Sequence, residues 1–270
     1  MKKERYFRHE LERMFIAYAI VPAVVFTLVC GLLFMTVLLH GKKSGNIEHS
    51  RYVAGLLDNV LARYEDGVEE MASQPGLLDR VRDQNGKAEL SGIFYGITNS
   101  LGLEGDLFVM DSSRSILLSS RSDLPPFLDV PEGVSWGIFD DMDREPNRTA
   151  LKLAEGWKNG GSTIVIGRSV MDGNKKQGYI LCSIPSSQFK ALVDKPDIQT
   201  IIADPFGWAY VSSNYSFLNS SNQVMKVLME SGRYLSHKKQ MYLVSRQRVP
   251  RGGFTVYSIS DIQNIVISLG

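Results

Sequence analysis

The side chains with the greatest potential for chemistry in this sequence are carboxylates in one short run. Phe139–Glu145 reads FDDMDRE, and such a density of carboxylates is typical of calcium-binding segments. The run lacks the glycine and the distal glutamate of an EF-hand loop, so it favours a solvated acidic loop. His237 lies beside Lys238 and Lys239, a pattern that indicates a turn between strands rather than a general base.

The motifs of common catalytic sites are missing from the sequence. It contains no G-x-S-x-G elbow, no H-E-x-x-H helix and no G-x-x-x-x-G-K phosphate loop. Two cysteines, Cys30 and Cys182, exclude a cysteine-based zinc site and a disulfide framework, and four histidines make a histidine-rich metal centre unfavourable. A formal net charge of +1 argues against nucleic-acid binding through bulk electrostatics. We therefore predict no enzyme activity, no cofactor and no metal.

Two residues suit a pocket for a small molecule. Arg168 lies in the predicted strand 163–170, whose alternation puts it on one face with apolar residues. The residues of that face are Ile164, Ile166, Arg168 and Val170. An arginine near the end of such a face suits the mouth of a concave pocket, where it pairs with an anionic group, and Trp136 would form an aromatic wall. The alternatives are that Arg168 extends to solvent from the sheet edge and that Trp136 anchors its loop.

One segment of the chain is apolar enough to cross a membrane. Met14–Leu39 carries no formal charge, and as a helix it would measure about 39 Å against a hydrocarbon core of about 30 Å. A cleaved signal peptide is the alternative, but the run is too long and no small-residue cleavage site precedes Gly41. We predict a retained transmembrane helix that tolerates Pro22.

The charges that flank this segment predict its orientation. The leader 1–13 carries five Lys/Arg residues, and fewer follow the span. The basic residues that follow are Lys42, Lys43 and Arg51. The positive-inside bias puts the leader in the cytoplasm and residues 41–270 outside the cell. The two cysteines are then separated, and an exported domain without disulfides fits a bacterial surface better than a eukaryotic secreted protein.

Two helical stretches follow the membrane segment and are separated by Pro75-Gly76. Both have apolar residues at spacings of three and four. The first stripe is Val53, Leu56, Leu57, Val60, Leu61, Tyr64, Val68 and Met71, and the second is Leu90, Ile93, Phe94, Ile97 and Leu101. The first stripe either faces a second subunit in a homodimer or packs entirely on its own domain.

The remainder of the chain reads as short strands and contains an internal repeat. Asp106–Ser120 (DLFVMDSSRSILLSS) aligns without gaps with Gln199–Ser213 (QTIIADPFGWAYVSS). Gly178–Ile184 matches Gly253–Ile259, and a helix is predicted after each of these blocks, at 186–193 and 261–267. The repeat predicts two copies of an α+β unit, each with a hairpin, antiparallel strands and an exit helix.

Three details of the repeat bear on function. Asp111 and Asp204 occur at equivalent turns, where we expect them to bond their own backbone as Asx-turns do. Arg168 has a counterpart in Arg246, which hints at a shared structural role. The first copy holds extra residues within 121–149, and long loops of this kind form binding elements or lids. Any ligand site is therefore expected in the first copy.

The order of these segments resembles the double Cache sensor domains of bacterial transmembrane receptors. The resemblance covers nearly the whole chain and is clearest in Ser162–Val193 (STIVIGRSVMDGNKKQGYILCSIPSSQFKALV), which looks like the closing strands and exit helix of a membrane-distal Cache unit. The leader segment RHELERMFIAYAIVPAVVF is similar to the start of Gram-positive sensor histidine kinases. The resemblance implies an α+β fold: a transmembrane helix, a long membrane-proximal helix and two tandem PAS-like antiparallel-sheet units.

The resemblance also implies a function. Cache units bind small extracellular ligands, often amino acids or carboxylates, and pass the signal along the long helix to a cytoplasmic output module. Relatives that bind amino acids carry an aspartate on the closing strand, where this chain has Ser183, which would donate a neutral hydrogen bond instead. The arginine expected beside the aromatic residue of the distal loop is missing next to Trp136. These departures put amino-acid recognition in question.

These observations predict a membrane-anchored extracytoplasmic sensing domain. Its predicted parts are a cytoplasmic leader (1–13), a transmembrane helix (14–39), signalling helices (40–101), a membrane-distal Cache unit (102–193) and a membrane-proximal Cache unit with its exit helix (194–270). The predicted partners are a small extracellular molecule, the membrane and a second copy of the chain. An anchored extracellular enzyme and a structural interaction module are the alternatives. Since no output module is in the sequence, the chain is either a truncated receptor or a standalone sensor.

Overall fold

The N-terminal part of the protein is a long helical rod. In the computed structural model, which describes residues 2–102, 104–121, 137–154 and 162–263, helix α1 (Lys2–Phe15) continues through a π-helical turn (Ile16–Ile20) into helix α2 (Val21–Ala72). Pro22 accounts for the turn, because proline lacks an N–H group and its ring crowds the carbonyl four residues earlier. The wider π-turn relieves that clash without ending the helix.

The first half of this rod has no protein around it. Large apolar side chains between Met14 and Leu39 are exposed, and Phe26 is 71% exposed. Other elements would cover a core helix of this composition, whereas lipid covers a membrane helix. Among the described residues, one helix is long and apolar enough to cross a membrane, and its most apolar part is uncovered by protein.

Beyond the apolar run, α2 packs against the rest of its own chain along one face. The buried members of the first predicted stripe are Val53, Leu57, Val60, Leu61, Tyr64, Val68 and Met71. Helices α3 (Leu77–Arg82) and α4 (Gln84–Leu101) fold back on the end of α2, and Leu90 and Phe94 of the second stripe join the same core. The first stripe therefore packs on its own domain, which is one of the two alternatives open from sequence.

Two five-stranded antiparallel sheets with the same topology follow the helices. The distal sheet, which packs on α2 farther from the apolar run, contains β1 (Asp106–Asp111), β2 (Ile116–Ser119), β3 (Ala150–Ala154), β4 (Thr163–Asp172) and β5 (Lys175–Pro185) in the order β2-β1-β5-β4-β3. The proximal sheet contains β6 (Gln199–Ala203), β7 (Ala209–Ser212), β8 (Tyr234–His237), β9 (Gln240–Arg248) and β10 (Thr255–Asp261) in the order β7-β6-β10-β9-β8. The predicted pair of PAS-like α+β units is confirmed.

Three shorter helices complete these units: α5 (Ile138–Arg144), α6 (Ser186–Val193) and α7 (Lys226–Glu230), with a 3₁₀ turn at Tyr215–Phe217. Helix α6 coincides with the predicted exit helix of the first unit. The prediction of a solvated loop for the acidic run 139–145 is wrong, because the run lies in α5. Phe139 and Met142 are buried against the distal sheet, so the segment is an amphipathic helix with its carboxylates at the surface.

The two hairpin turns are equivalent residue by residue. Asp111 Oδ1 accepts hydrogen bonds from the backbone N–H groups two and four residues further on, both at 2.9 Å. Asp204 Oδ1 accepts from the N–H groups at the same offsets, at 2.9 and 2.8 Å. The prediction of two Asx-turns is confirmed.

The closing strands of the two units, in contrast, pair with their neighbouring strands in a register that differs by one residue from the sequence match. Ser183 of β5 pairs with Asp106 of β1. In the proximal sheet the residue equivalent to Asp106 is Gln199, and it pairs with Ile259. The sequence match aligns Ser183 with Ser258 instead. Successive strand residues point to opposite faces of a sheet. Residues of the closing strands that the sequence match aligns therefore point to opposite faces in the two units.

The two units are joined to each other and to α2 by side chains. Ser162 Oγ, at the start of β4, donates to the carbonyl of Ala209 at 2.8 Å. Arg251, at the turn between β9 and β10, returns to α2, where its Nη1 is 2.9 Å from Asp58 Oδ2 and its Nε is 3.2 Å from Glu65 Oε2. The β9–β10 turn is therefore fastened to the middle of α2.

The proximal sheet holds α2 by polar contacts near the apolar run. Asn46 is fully buried, and its Nδ2 donates to the carbonyls of Leu243 at 2.9 Å and Ser258 at 3.3 Å. Ser260 Oγ donates to Asn46 Oδ1 at 2.7 Å. These bonds join α2 to β9 and β10 and satisfy the whole amide, which is the condition for burying it without a large cost.

Asn46→Ala should therefore destabilise the protein. Two buried carbonyls lose a donor and a buried hydroxyl loses an acceptor, so we expect the free energy of unfolding to fall by about 1–3 kcal/mol. Asn99→Ala, on the exposed face of α4, is the matched control and should change it by less than about 0.5 kcal/mol. Urea denaturation followed by circular dichroism measures both, and equal values would contradict the role of the amide.

Candidate functional site

The two faces of the distal sheet have different neighbours. The helix face, the side that packs on α2, carries Leu107, Val109, Ile164, Ile166, Ile180 and Cys182. The outer face carries Phe108, Met110, Val165, Tyr179 and Leu181 and packs beneath α5. Helix α5 belongs to the extra segment 121–149 of the first unit, so the described helix of that segment lies on the outer face.

Arg168 lies on the helix face together with the three apolar residues predicted to share its face. Its Nη1 is 3.0 Å from Glu69 Oε1 of α2, and its side chain is 18% exposed. The guanidinium therefore joins the sheet to the long helix. It does not border the outer face.

Arg246 is not the counterpart of Arg168 in the folded protein. The displacement by one residue makes Gln247 the equivalent residue, and Arg246 points to the opposite face. There its Nη1 donates to the carbonyl of Met229 at the end of α7, at 2.7 Å. The expectation of a shared structural role for the two arginines is wrong. Sequence similarity between two strands does not determine their register in the sheet.

Ser183 lies on the outer face, so the structure does not bring it together with Arg168. Ser183 Oγ donates to Asp106 Oδ2 at 3.2 Å, and Arg121 Nη1 is 3.1 Å from the same oxygen. Asp106 is the residue paired with Ser183 across β1 and β5. The carboxylate beside Ser183 therefore comes from the neighbouring strand β1.

Asp106 and Arg121 are candidate site residues that were not predicted from the sequence. A signal for them was available, because a hairpin over 106–120 brings its two ends side by side, and opposite charges at those ends then pair. Trp136, the third predicted site residue, lies outside the described residues.

A cleft of about 620 Å³ opens beside this carboxylate. Its walls come from α4, the segment that leads into β1, the end of β2 and the start of α6. Its described lining includes Phe94, Tyr95, Thr98, Glu104, Asp106 and Arg121. Two carboxylates, a guanidinium and aromatic rings are groups that can form charge-assisted hydrogen bonds at one end of a cleft and ring contacts at the other.

Tyr64 connects the wall of this cleft to α2. Its side chain is fully buried, and its hydroxyl has no hydrogen-bond partner among the described residues. Gly105, which lines the cleft, makes room for it: a Cβ there would lie 2.7 Å from Tyr64 Oη and 2.8 Å from the carbonyl oxygen of Ser183. Burial, together with the Cys182 thiol and the Asp106 carboxylate, raises the pKa of Tyr64, so its hydroxyl stays neutral.

A second polar cluster closes the other end of the outer face. Asp143 of α5 accepts hydrogen bonds from Lys176 Nζ at 2.6 Å and Tyr179 Oη at 2.7 Å. Burial raises the pKa of Asp143, but these bonds and the charges of Lys176 and Arg114 outweigh it and lower the pKa overall. Arg114 also lies over the ring of Phe139, 4.4 Å from its centre. The cluster fastens α5 to the sheet and leaves the cleft at the opposite end.

Comparisons with known proteins identify the fold. No protein-family model matches the chain, and no curated protein matches its sequence. The ligand-binding domain of the Campylobacter jejuni chemoreceptor Tlp3 in complex with L-norvaline has a TM-score of 0.58 at 14% identity, over 85% of this chain and 94% of that one. The sensor domain of the V. cholerae histidine kinase DctB has a TM-score of 0.56 at 12% identity, over 82% and 98%. The ligand-binding domain of the Pseudomonas fluorescens chemoreceptor CtaA in complex with L-isoleucine has a TM-score of 0.56 at 11% identity, over 87% and 98%.

The chain has the Cache-type sensor fold. The likeness covers 82–87% of the chain, which confirms the fold implied by the order of segments in the sequence. These relatives do not bear on the similarity to Gram-positive histidine kinases, which stays a prediction. In this Cache-type domain, the cleft with Asp106 and Arg121 lies in the first unit, where the extra residues of the repeat predicted a site.

Gly105→Ala should distort the wall of the cleft. The added methyl group would lie within 3 Å of a hydroxyl and a backbone carbonyl, so we expect the free energy of unfolding to fall by about 1–3 kcal/mol. Gly92→Ala in α4 is the control, because a Cβ there meets nothing within 4 Å and alanine is favoured in helices by about 0.5–1 kcal/mol. Chemical denaturation compares the two. A Gly105→Ala variant with the same free energy of unfolding as the parent would contradict the close approach of Tyr64.

Proposed function

We propose that this chain is the extracytoplasmic ligand-sensing domain of a membrane-anchored signal-transduction receptor of the histidine kinase type. Its leader lies in the cytoplasm and residues 41–270 lie outside. The observation that carries the proposal is the cleft beside Asp106 and Arg121 in a Cache-type fold, because it offers opposite charges to a small molecule next to the helix that leads to the membrane. The described side chains of the cleft bind and orient, and none of them is a nucleophile paired with a base. The domain is thus proposed to have no catalytic activity of its own.

The ligand of this site is proposed to be a small molecule with an ammonium group and a carboxylate. Glu104 and Asp106 offer oxygens to an ammonium group, and Arg121 offers N–H groups to a carboxylate. The Tlp3 and CtaA domains are in complex with L-norvaline and L-isoleucine, which carry both groups. Ser183 then orients the Asp106 carboxylate, and Trp136 is proposed to form the aromatic wall predicted from sequence.

Arg168 has a different role in this proposal. Its ion pair with Glu69, at 3.0 Å, and the close approach of Tyr64 to Gly105 both connect the sheet that holds the ligand to α2. A change in the position of the cleft wall would therefore reach the long helix through these two contacts. Arg168 transmits the binding event and does not contact the ligand.

Ligand binding should raise the thermal stability of the protein. For the full-length chain in detergent micelles, we expect a higher Tm with at least one L-amino acid, since a ligand that binds only the native state adds about 2.7 kcal/mol at 100 times its Kd. Asp106→Asn removes the carboxylate charge and should weaken binding about tenfold or more, which corresponds to about 1.4 kcal/mol. Asp172→Asn, an exposed carboxylate at the far end of β4, is the control and should bind as the parent does.

Two outcomes of this experiment would contradict the proposal. No change in Tm with any compound of a panel of amino acids, dicarboxylates and sugar acids would favour a structural interaction module. Turnover of a panel compound that Asp106→Asn abolishes would favour an anchored enzyme.

We also propose that the chain forms a homodimer in the membrane along the exposed face of α2, because the buried face is occupied by its own domain. The exposed face of α2 includes Ser44, Glu48, Tyr52, Gly55 and Asn59. Tyr52 is 63% exposed, and Gly55 has open space around it, which allows a second helix to approach closely.

Cysteines placed along this face of a cysteine-free variant should crosslink between chains in membranes with helical periodicity. Ser44, Tyr52 and Gly55 are the test positions. Cysteines at the buried positions Val53 and Leu57 are the controls and should not crosslink, because their side chains are enclosed by their own domain. A dimer along α2 is excluded if the exposed positions crosslink no more than the buried ones.

A further inference from the structure

Helix α2 changes character after it leaves the apolar run. Its buried residues Asn46, His49 and Ser50 are polar, whereas those from Val53 to Ala72 are almost all apolar. Asn46 bonds to β9 and β10, as described above. His49 is a titratable side chain in the same contact, and we call the set Asn46, His49, Ser50 and Thr200 the polar seam.

His49 is held between α2 and the first strand of the proximal sheet. Its Nε2 lies 2.9 Å from Thr200 Oγ1, and the residue is 6% exposed. Thr200 Oγ1 donates in turn to the carbonyl of Val193 at 3.4 Å. A chain of hydrogen bonds therefore runs from α2 through β6 to the end of α6, in a place with little water to solvate a charge.

The charged groups around His49 do not compensate a charge on its ring. Lys195, in the turn between α6 and β6, places a positive charge near it. The other charged residues on the elements packed here are Lys42, Lys43, Glu48, Arg51, Asp194, Asp197 and Asp261. Within the described part of the chain, the groups that shift the pKa of His49 include none of these carboxylates. Burial first and Lys195 second lower the pKa of His49, and a hydrogen bond with the Val193 carbonyl offsets them in part.

We propose that His49 is a proton-binding site through which an acidic exterior weakens the attachment of α2 to the proximal sheet. In the neutral state the ring bonds to Thr200 and completes the polar seam. A proton added to the ring puts a charge into a contact that excludes water, near the like charge of the exposed Lys195. The protonated state then favours separation of α2 from β6. This response to pH does not depend on the ligand site, because it uses none of the residues that line the cleft.

The sign of the pH effect follows from proton linkage. The pKa of His49 in the folded protein is below its ordinary value of about 6.5, so the unfolded or detached state binds the proton more strongly. The contribution of the seam to stability is complete above about pH 6.5 and is lost as the pH falls from there through the folded pKa. A change in this window is characteristic of histidine, since unperturbed carboxylates titrate at lower pH.

Hydrogen exchange of the full-length protein in lipid nanodiscs tests the proposal. Between about pH 7.5 and about pH 5.5, with intrinsic rates corrected, residues 46–53 and 199–203 should lose protection and Tm should fall by about 2–4 °C. His49→Gln keeps a donor for Thr200 without a titratable ring, so both changes should disappear. His237→Gln is the control: it lies in the same unit and its ring packs on Phe217, and this variant should respond as the parent does.

A second variant keeps the test decisive if His49→Gln does not fold. The side chain of Lys195 is exposed, so Lys195→Ala removes its charge with little change in packing. The variant should raise the pKa of His49 towards its ordinary value, so the loss of protection and the fall in Tm on acidification should be smaller than in the parent. The proposal is overturned if folded His49→Gln keeps the parent's pH response, or if Lys195→Ala responds to acid as strongly as the parent does.

Discussion

Both sheets of this protein pack against one side of helix α2. Each sheet has an apolar face that water would otherwise reach, and α2 covers part of both, with β4 and β5 at one end and β9 and β10 at the other. Burying a side chain such as Leu57, Leu61 or Val68 contributes about 1.5–3 kcal/mol, more than the 0–1 kcal/mol of a typical surface ion pair. Because the same helix continues into the apolar run, its unbroken backbone connects the packing of both units to the segment that is apolar enough to cross a membrane.

The two units hold this helix by different chemistry. The distal unit contacts it mainly through apolar side chains and adds the ion pair between Arg168 and Glu69. The proximal unit adds directional hydrogen bonds at Asn46 and His49. Apolar contacts are non-directional, whereas hydrogen bonds weaken steeply with a change of angle. The proximal unit therefore sets the axial position of the helix more strictly than the distal unit does.

The two units share one topology but carry different residues at equivalent positions of their outer faces. At the start of the first strand the distal unit has Asp106, which bonds to Ser183 and Arg121 beside a cleft. The proximal unit has Gln199 at the equivalent position, and the Asn214 amide donates to it at 2.6 Å. A carboxylate and a guanidinium attract a charged molecule more strongly than two amides that satisfy each other. The charged residues that suit a ligand thus occur in the unit with the extra segment.

Local patterns in the sequence determined the elements of this protein. The apolar run, the stripe on α2, α6 at 186–193 and the Asx-turns at Asp111 and Asp204 were all predictable, because each depends on residues within a few positions of one another. The acidic run 139–145 was misread as a loop, since the surface that buries Phe139 belongs to a strand far away in the chain. Tertiary structure alone decided that Arg168 and Ser183 lie on opposite faces, that Arg246 is not equivalent to Arg168 and that Asp106 meets Arg121 beside the cleft. The register of strands distant in sequence decides these relations, and a shift of one residue reverses every face.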